Sequence, residues 1–344
     1  MHSGKKRNPL YFKPWLVAFL VLFVAGYTNA FEVKVATILP DGSHWLREMR
    51  ASGEEIQMRT AGRVTFKFYP GGVMGNDAQI LRKVRIGQLH GGAFTATGLG
   101  ARYSGLNVYG IPLLFRSFDE VDYVRERMDD RLVEGLEAAG FVSFGFTEGG
   151  FAQLMANESI SRVEDMRRRK VWIPEGDQIS LLALAALGLS PVTLPPTDVL
   201  TGLQTGLIDV VAASPIAAIV LQWHTKVKYI TELPIVYSIG IFAIERQAFY
   251  RLSQEDQAVV RDVMTNTVNS LDQDAREDER EARAVLEKTG MNFVPVNSNS
   301  VMGWRRTIDA LYPQLQQRSD IDAAVLEQVL GHLRDYRSVS TGPR

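Results

Sequence analysis

From Phe31 the chain alternates. Phe31, Val33 and Val35 are apolar, Glu32 and Lys34 are polar, and an apolar run continues to Leu39, which predicts a strand. Pro40-Asp41-Gly42-Ser43 supplies a turn ending in a capping residue, a helix is expected to about Thr60, and Gly62 lies just past its end. Val64, Phe66 and Phe68, with Thr65 and Lys67 between them, predict a second strand. Strand, helix and strand in about 40 residues make a βαβ unit, whose strands are parallel.

The same order returns downstream. After the second strand come a Pro70-Gly71 turn, a helix near Asn76–Ile86, Gly87 and the apolar Ala93-Phe94. Much later come a strand over Pro191–Leu194, a Pro195-Pro196 turn, a helix from Thr197 or Asp198 to Thr205, Gly206 and Val210-Val211-Ala212. Two distant copies of one unit predict two similar lobes rather than one doubly wound sheet. From Ser253 to about Lys288 there is no Gly or Pro. Val259, Val263, Val268, Leu271, Ala275, Ala282 and Val285 recur at mostly helical spacing around a run of mixed charge, Asp272–Arg283. This predicts an amphipathic helix of roughly 35 residues with a solvated face. At 1.5 Å per residue it is on the order of 50 Å long, enough to run along both lobes. Gly290 ends it, and Met291–Val296 reads as one more strand.

Composition narrows the class. A chain of 344 residues with 46% hydrophobic and 22% charged residues is not mainly disordered, and a net charge of −1 gives no bulk reason for nucleic-acid binding. The absence of cysteine excludes disulfide frameworks, cysteine zinc sites, iron–sulfur clusters and thiol nucleophiles. At the amino end, Lys5, Lys6, Arg7 and Lys13 flank a short apolar run, Trp15–Gly26, and Thr28-Asn29-Ala30 offers a small-residue cleavage site. That layout predicts a secretory signal over residues 1–30, cleaved near Ala30, and a bacterial periplasmic location.

Catalytic signatures are missing. Tyr103-Ser104-Gly105-Leu106 is not a nucleophile elbow, and His2, His44, His90, His224 and His332 show no metal-ligand spacing. Gly71-Gly72-Val73-Met74-Gly75-Asn76 lacks the ending of a phosphate loop. A binding protein without cofactor or metal is therefore expected ahead of an enzyme.

Several blocks carry a family resemblance: Tyr69-Pro70-Gly71-Gly72-Val73-Met74-Gly75, Val171-Trp172-Ile173-Pro174, Leu187-Gly188-Leu189-Ser190-Pro191-Val192, and the run Asp198–Asp209 with its Leu203-Gln204-Thr205-Gly206-Leu207-Ile208-Asp209. The chain resembles the substrate-binding proteins of TRAP transporters, the DctP-type family. The resemblance implies an α/β fold of two lobes joined by crossing strands, with a long helix spanning both. It implies a small molecule held in the cleft, lobe closure over it, and docking on membrane components driven by a sodium or proton gradient. The expected lobes are 31–150 with about 237–275, and 151–236 with about 276–344.

One departure stands out. Acid-binding members resembling this chain carry Arg-Val-Pro where it has Trp172-Ile173-Pro174, and Ala152 stands where a second basic residue is often found. An indole offers one N–H donor and no charge, so it cannot grip a carboxylate as a guanidinium does. If Trp172 lines the cleft, a hydrophobic or weakly anionic ligand is expected. If it packs in the core, a conventional organic-acid (carboxylate) ligand is expected, with Arg169 or Lys170 as the relocated cation. The candidate ligand-binding residues are His44, Trp45, Phe94, Thr95, Thr97, Gln153, Trp172, Pro174, Pro196, Ser214 and Phe242. The resemblance also suggests a periplasmic TPR-repeat accessory protein as a partner. The competing classes are a lipid-binding envelope shuttle and an exported α/β enzyme using His44 or His224.

Overall fold

The computed structural model describes residues 30–340; of the expected signal peptide all but Ala30 lies outside the described residues. The strands are β1 (Phe31–Ala36), β2 (Val64–Tyr69), β3 (Gly91–Thr95), β4 (Phe141–Ser143), β5 (Thr147–Ala156) and β6 (Trp172–Pro174), followed by β7 (Val192–Leu194), β8 (Val210–Ala213), β9 (Tyr229–Thr231), β10 (Val236–Glu245) and β11 (Asn292–Val294). The first βαβ unit forms as its pattern predicts. β1 and β2 are parallel, Phe31 opposite Val64 through Ala36 opposite Tyr69. The helix His44–Arg59 joins them, and the Ser43 side chain accepts from the Leu46 N–H at its start. Alternation along β1 sends Val33 and Val35 to a core with Met49, Ile56 and Val263, and Ala36 to the opposite core with Ile80 and Leu89.

The repeated unit takes the same form twice. β1 lies between β2 and β3, and β3 pairs antiparallel with β10. In the second half β6 pairs with β7, a Val171–Val210 bridge connects it to β8, and β8 pairs antiparallel with β5. The second half has its own two cores. Alternation on β5 and β8 puts Leu154 and Val210 with Trp304 on one face, and Met155 and Val211 with Trp223 on the other.

β5 and β10, ten residues each, join the halves. They pair with each other between Thr147–Ala152 and Val236–Gly240. β10 then continues beside β3 and β4, while β5 continues beside β8 and β9. A bulge interrupts the crossing: Ser238 faces Gly150 and Ile239 faces Glu148, leaving Gly149 as the extra residue. Gly150 takes φ +76°, and a Cβ on Gly149 would lie 2.6 Å from Ser238 Oγ, so both positions need glycine.

The helix Gln254–Lys288 has the 35 residues expected, capped by Ser253 and followed by Gly290 at φ +89°. It packs on the helix His44–Arg59, on β5 and on the helix Pro215–Val220, and so touches both halves. Its charged stretch is not simply a solvated face. Asp272 accepts from Arg125 and from the Glu148 N–H, and Arg276 binds Glu148 and Asp122. The chain end also departs from the expected lobes. Trp304 and Ile308 pack in the second half, but Val325, Leu326, Val329 and Leu333 of the helix Ala323–Ser340 return to the first.

Candidate functional site

The carboxyl ends of β1 and β3 and the start of the helix Pro215–Val220 face one another across the crossing strands, the place where open α/β sheets hold ligands. A cavity of about 350 Å³ lies there. Thr37, Ile38, Trp45 and Phe94 line it from the first half, and Ile216, Ala217, Val220 and Leu221 from the second. Glu148, Gly149, Gly150 and Gly240 contribute from the crossing strands, and Leu271, Ala275, Asp278 and Glu279 from the long helix. A second compartment of about 220 Å³ adjoins it and shares Ile38, Asp77 and Thr95. Asn76, Thr97 and Gly98 line that compartment on one side, and Pro174, Asp177 and Pro196 on the other.

Asp77 sits where the compartments meet. It opens the helix Asp77–Arg85, whose N-cap Asn76 forms a capping box with Gln79. Its Oδ2 accepts from the Thr95 N–H (3.1 Å) and from Thr95 Oγ1 (2.9 Å). A Cβ on Gly98 would lie 2.0 Å from that oxygen, so glycine there lets the carboxylate in. Burial pushes the Asp77 carboxyl up, and the two Thr95 bonds oppose it.

Under the cavity lies a buried charge network. The Glu148 carboxylate accepts from Arg276 Nε (3.2 Å) and from the Tyr237 hydroxyl (3.3 Å). Arg125 donates to Asp129 (2.8 Å), to Asp272 (2.8 Å) and to the Phe146 carbonyl (3.1 Å). The Tyr109 hydroxyl donates to the far oxygen of Asp129 (2.7 Å). At the cavity wall His44 Nδ1 lies 3.1 Å from Asp278 Oδ2. Among the described residues Glu279 accepts the Ile216 N–H, at 3.1 Å, and pairs with no cation. Burial pushes its carboxyl up to about 7; the Ile216 bond opposes that and the Glu148 charge adds to it.

The structure brings seven of the sequence candidates to these compartments. His44, Trp45, Phe94 and Thr95 line the larger one, and Thr95, Thr97, Pro174 and Pro196 the smaller. Trp172, Gln153, Ser214 and Phe242 line neither. Trp172 is 6% exposed in the core of the second half, with its ring 5.2 Å from Trp223 in an edge-to-face pair. Its Nε1–H donates to the Leu194 carbonyl (2.9 Å), across the β6–β7 pair. Phe242 packs with Trp45, Phe66 and Phe144 inside the first half. Ser214 is buried as the N-cap of the helix Pro215–Val220, and Gln153 lies opposite Ala213 in the β5–β8 pair. The replacement cations are also turned away. Arg169 binds Glu158, and Lys170 Nζ donates to the Gly206 carbonyl. His224 lines neither compartment, and its Nδ1 lies 3.0 Å from the Ala218 carbonyl.

Sequence reasoning missed Asp77, Glu148, Ile216, Ala217, Asp278 and Glu279. Asp77 carried a usable signal, an acid at the first helical position after a strand–turn switch. Glu279 carried none, since nothing local distinguishes it from the exposed Glu277, Arg280 and Glu281 beside it.

Comparison with known proteins agrees with this geometry. Residues 35–319 match the family model for bacterial extracellular solute-binding protein, family 7 (DctP). A C4-dicarboxylate-binding periplasmic protein of Rhodobacter capsulatus is 20% identical over 272 residues, 78% of this chain and 81% of that one. An uncharacterized Salmonella typhimurium protein is 22% identical over 60% of this chain, and the match spans 64% of its own length. A TRAP periplasmic solute-binding protein of Xanthobacter autotrophicus, solved with β-D-galacturonate, superposes with a TM-score of 0.80 at 20% identity, over 88% of this chain and 99% of that one. One from Haemophilus influenzae, solved with L-gulonate, does so with a TM-score of 0.80 at 18% identity, over 88% and 99%. The chain belongs to family 7 of the bacterial extracellular solute-binding proteins, the DctP family, and has the two-lobed α/β fold of the TRAP periplasmic solute-binding proteins.

Proposed function

We propose that this protein captures one small polar organic solute in the periplasm and hands it to the membrane components of a TRAP transporter. The observation that carries this reading is the cavity between the halves, lined from both and adjoining the crossing strands about which they can rotate. The family supports the transport role. For a TPR-repeat accessory protein the resemblance is the sole support. No reaction is proposed: His44 is turned to Asp278, and His224 lines neither compartment.

The solute class follows from the lining and from the relatives. The apolar-ligand expectation rested on Trp172, which is a core residue, so it is not carried forward. The solved relatives hold β-D-galacturonate and L-gulonate, hydroxyl-rich sugar acids. Carboxylates and carbonyls lining these compartments offer acceptors for such hydroxyls. Thr95, Thr97 and Trp45 are the proposed contacts from the first half, and Ile216 and Ala217 those from the second.

Small-angle scattering tests the reading. With a saturating, calorimetrically confirmed solute the radius of gyration falls as the halves close. An unchanged profile under saturation contradicts capture by closure.

A further inference from the structure

We infer that Asn76 and Glu175 form a latch that holds the two halves together across the mouth of the smaller compartment. This rests on closure of the halves over the solute, as proposed above, and adds what biases them towards the closed arrangement.

Asn76 lines that compartment from the first half and Glu175 from the second. Asn76 Nδ2 donates to Glu175 Oε2 at 2.9 Å, a side-chain bond between residues 99 apart in sequence. Each partner is set from behind by its own half. β2 ends at Tyr69, and a turn through Gly71, Gly72 and Gly75, all at positive φ, brings the chain round to Asn76. There Asn76 caps the helix Asp77–Arg85. Its Oδ1 accepts the Gln79 N–H (3.0 Å), and Gln79 Oε1 accepts the Asn76 N–H (3.0 Å). The cap uses the amide oxygen, so the amide nitrogen points its hydrogens across the rim. On the other side Glu175 directly follows β6, and its N–H donates to the Leu194 carbonyl at 3.2 Å, so the β6–β7 pair fixes its place. Among the described residues the Glu175 carboxylate has no cation and no other hydrogen bond.

A second contact brings the same turn against the same part of the second half. A Cβ on Gly72 would lie 3.1 Å from Thr197 Cγ2, and Thr197 lies in the turn Pro196–Asp198 that follows β7. One turn of the first half therefore meets both segments that leave the β6–β7 pair. Asparagine suits position 76 because it offers an acceptor to the cap and a donor to the rim. Aspartate caps a helix equally well but would set a carboxylate against Glu175. Glu175 is exposed and Asn76 half-buried, so opening returns both to water. The bond thus biases the equilibrium without locking it, which release of a solute requires.

The test is double electron–electron resonance on the full chain, with spin labels on Ile86→Cys in the first half and Leu207→Cys in the second. Both sites are exposed, and the chain has no cysteine of its own to take a label. Distances are read without solute and with β-D-galacturonate, L-gulonate and succinate together in large excess. Asn76→Asp lowers the ratio of the shorter to the longer interlabel distance about tenfold relative to the labelled parent. Adding Glu175→Gln to Asn76→Asp restores it, because the new carboxylate accepts from the new amide and the bond reforms with its direction reversed. That rescue leaves the substituted cap in place, so it separates the latch from a weakened helix. A ratio unchanged in Asn76→Asp overturns the latch, and so does a double variant as open as the single. Equal shortening by the solutes in all three chains overturns the latch and leaves capture by closure standing. Three chains that do not differ and do not respond to the solutes overturn both.

Discussion

Trp172→Ala separates a core tryptophan from a cleft tryptophan. The side chain is 6% exposed among Met155, Val199, Ile208, Val211 and Trp223. Loss of a buried tryptophan costs about 3–5 kcal/mol in transfer and cavity terms. Within that total, the edge-to-face contact with Trp223 accounts for about 0.5–1.5 kcal/mol and the Nε1–H bond for about 1 kcal/mol. The Leu194 carbonyl is not orphaned, because it also accepts the Glu175 N–H at 3.2 Å. The loss therefore falls in the lower half of the range, about 3–4 kcal/mol. Trp172→Phe, which keeps most of the ring, costs less. Trp172→Arg buries a guanidinium beside apolar neighbours, so it destabilises at least as much as alanine and gains no carboxylate binding. Urea unfolding followed by circular dichroism reads the stabilities, and calorimetric titration with the solute used for the scattering test reads the affinity. The alanine variant unfolds at much lower urea with its dissociation constant changed less than about threefold, because the ring does not touch the cavity. A stability loss below about 1 kcal/mol together with a tenfold or larger loss of affinity would refute the reasoning.

Arg125→Ala strips the counterion from Asp129 and Asp272 beneath the cavity and lowers stability by about 3–5 kcal/mol in the same urea assay. Folding raises the Glu279 carboxyl from 4.5 to about 7, so the folded state holds a proton that the unfolded state has lost. The Glu279 contribution to stability is then full below pH 4.5 and is lost, on the order of 2–3 kcal/mol, as pH rises to 7 and above; Glu279→Gln removes that part of the slope in melting curves taken from pH 4 to 8 without solute. Amino-terminal sequencing of protein from the periplasm finds Phe31 first, and recovery of residues 1–30 in a membrane fraction means an anchor instead.

Much of the fold was legible because its signals are local. The alternation at Phe31–Val35, the Ser43 cap and the uninterrupted run to Lys288 each set an element through backbone geometry. The repeated strand–turn–helix order likewise revealed the two halves. The site was only partly legible, because side-chain direction depends on distant chain segments. His44, Trp45 and Thr95 follow strands whose ends were visible, and they line the cavity. Trp172 also lies on a short strand, but its ring turns to Trp223, more than forty residues later in sequence, and no local pattern encodes that contact. Glu279 was hidden differently. Its neighbours Glu277 and Arg280 are exposed and pair with each other, and only packing against Gly150 and Ile216 sets it apart. The return of the helix Ala323–Ser340 to the first half is a long-range choice of the same kind.

Native mass spectrometry of wild type and Ala217→Trp, both purified without denaturation and offered a mixture of small sugar acids and dicarboxylates, tests most directly whether the interlobe cavity holds the solute. Ala217 lines the cavity from the second half, and an indole there takes up part of its space. Wild type carries one small-molecule adduct per chain, and Ala217→Trp, with an unchanged circular dichroism spectrum, carries none. An adduct that persists at equal occupancy in Ala217→Trp contradicts the account.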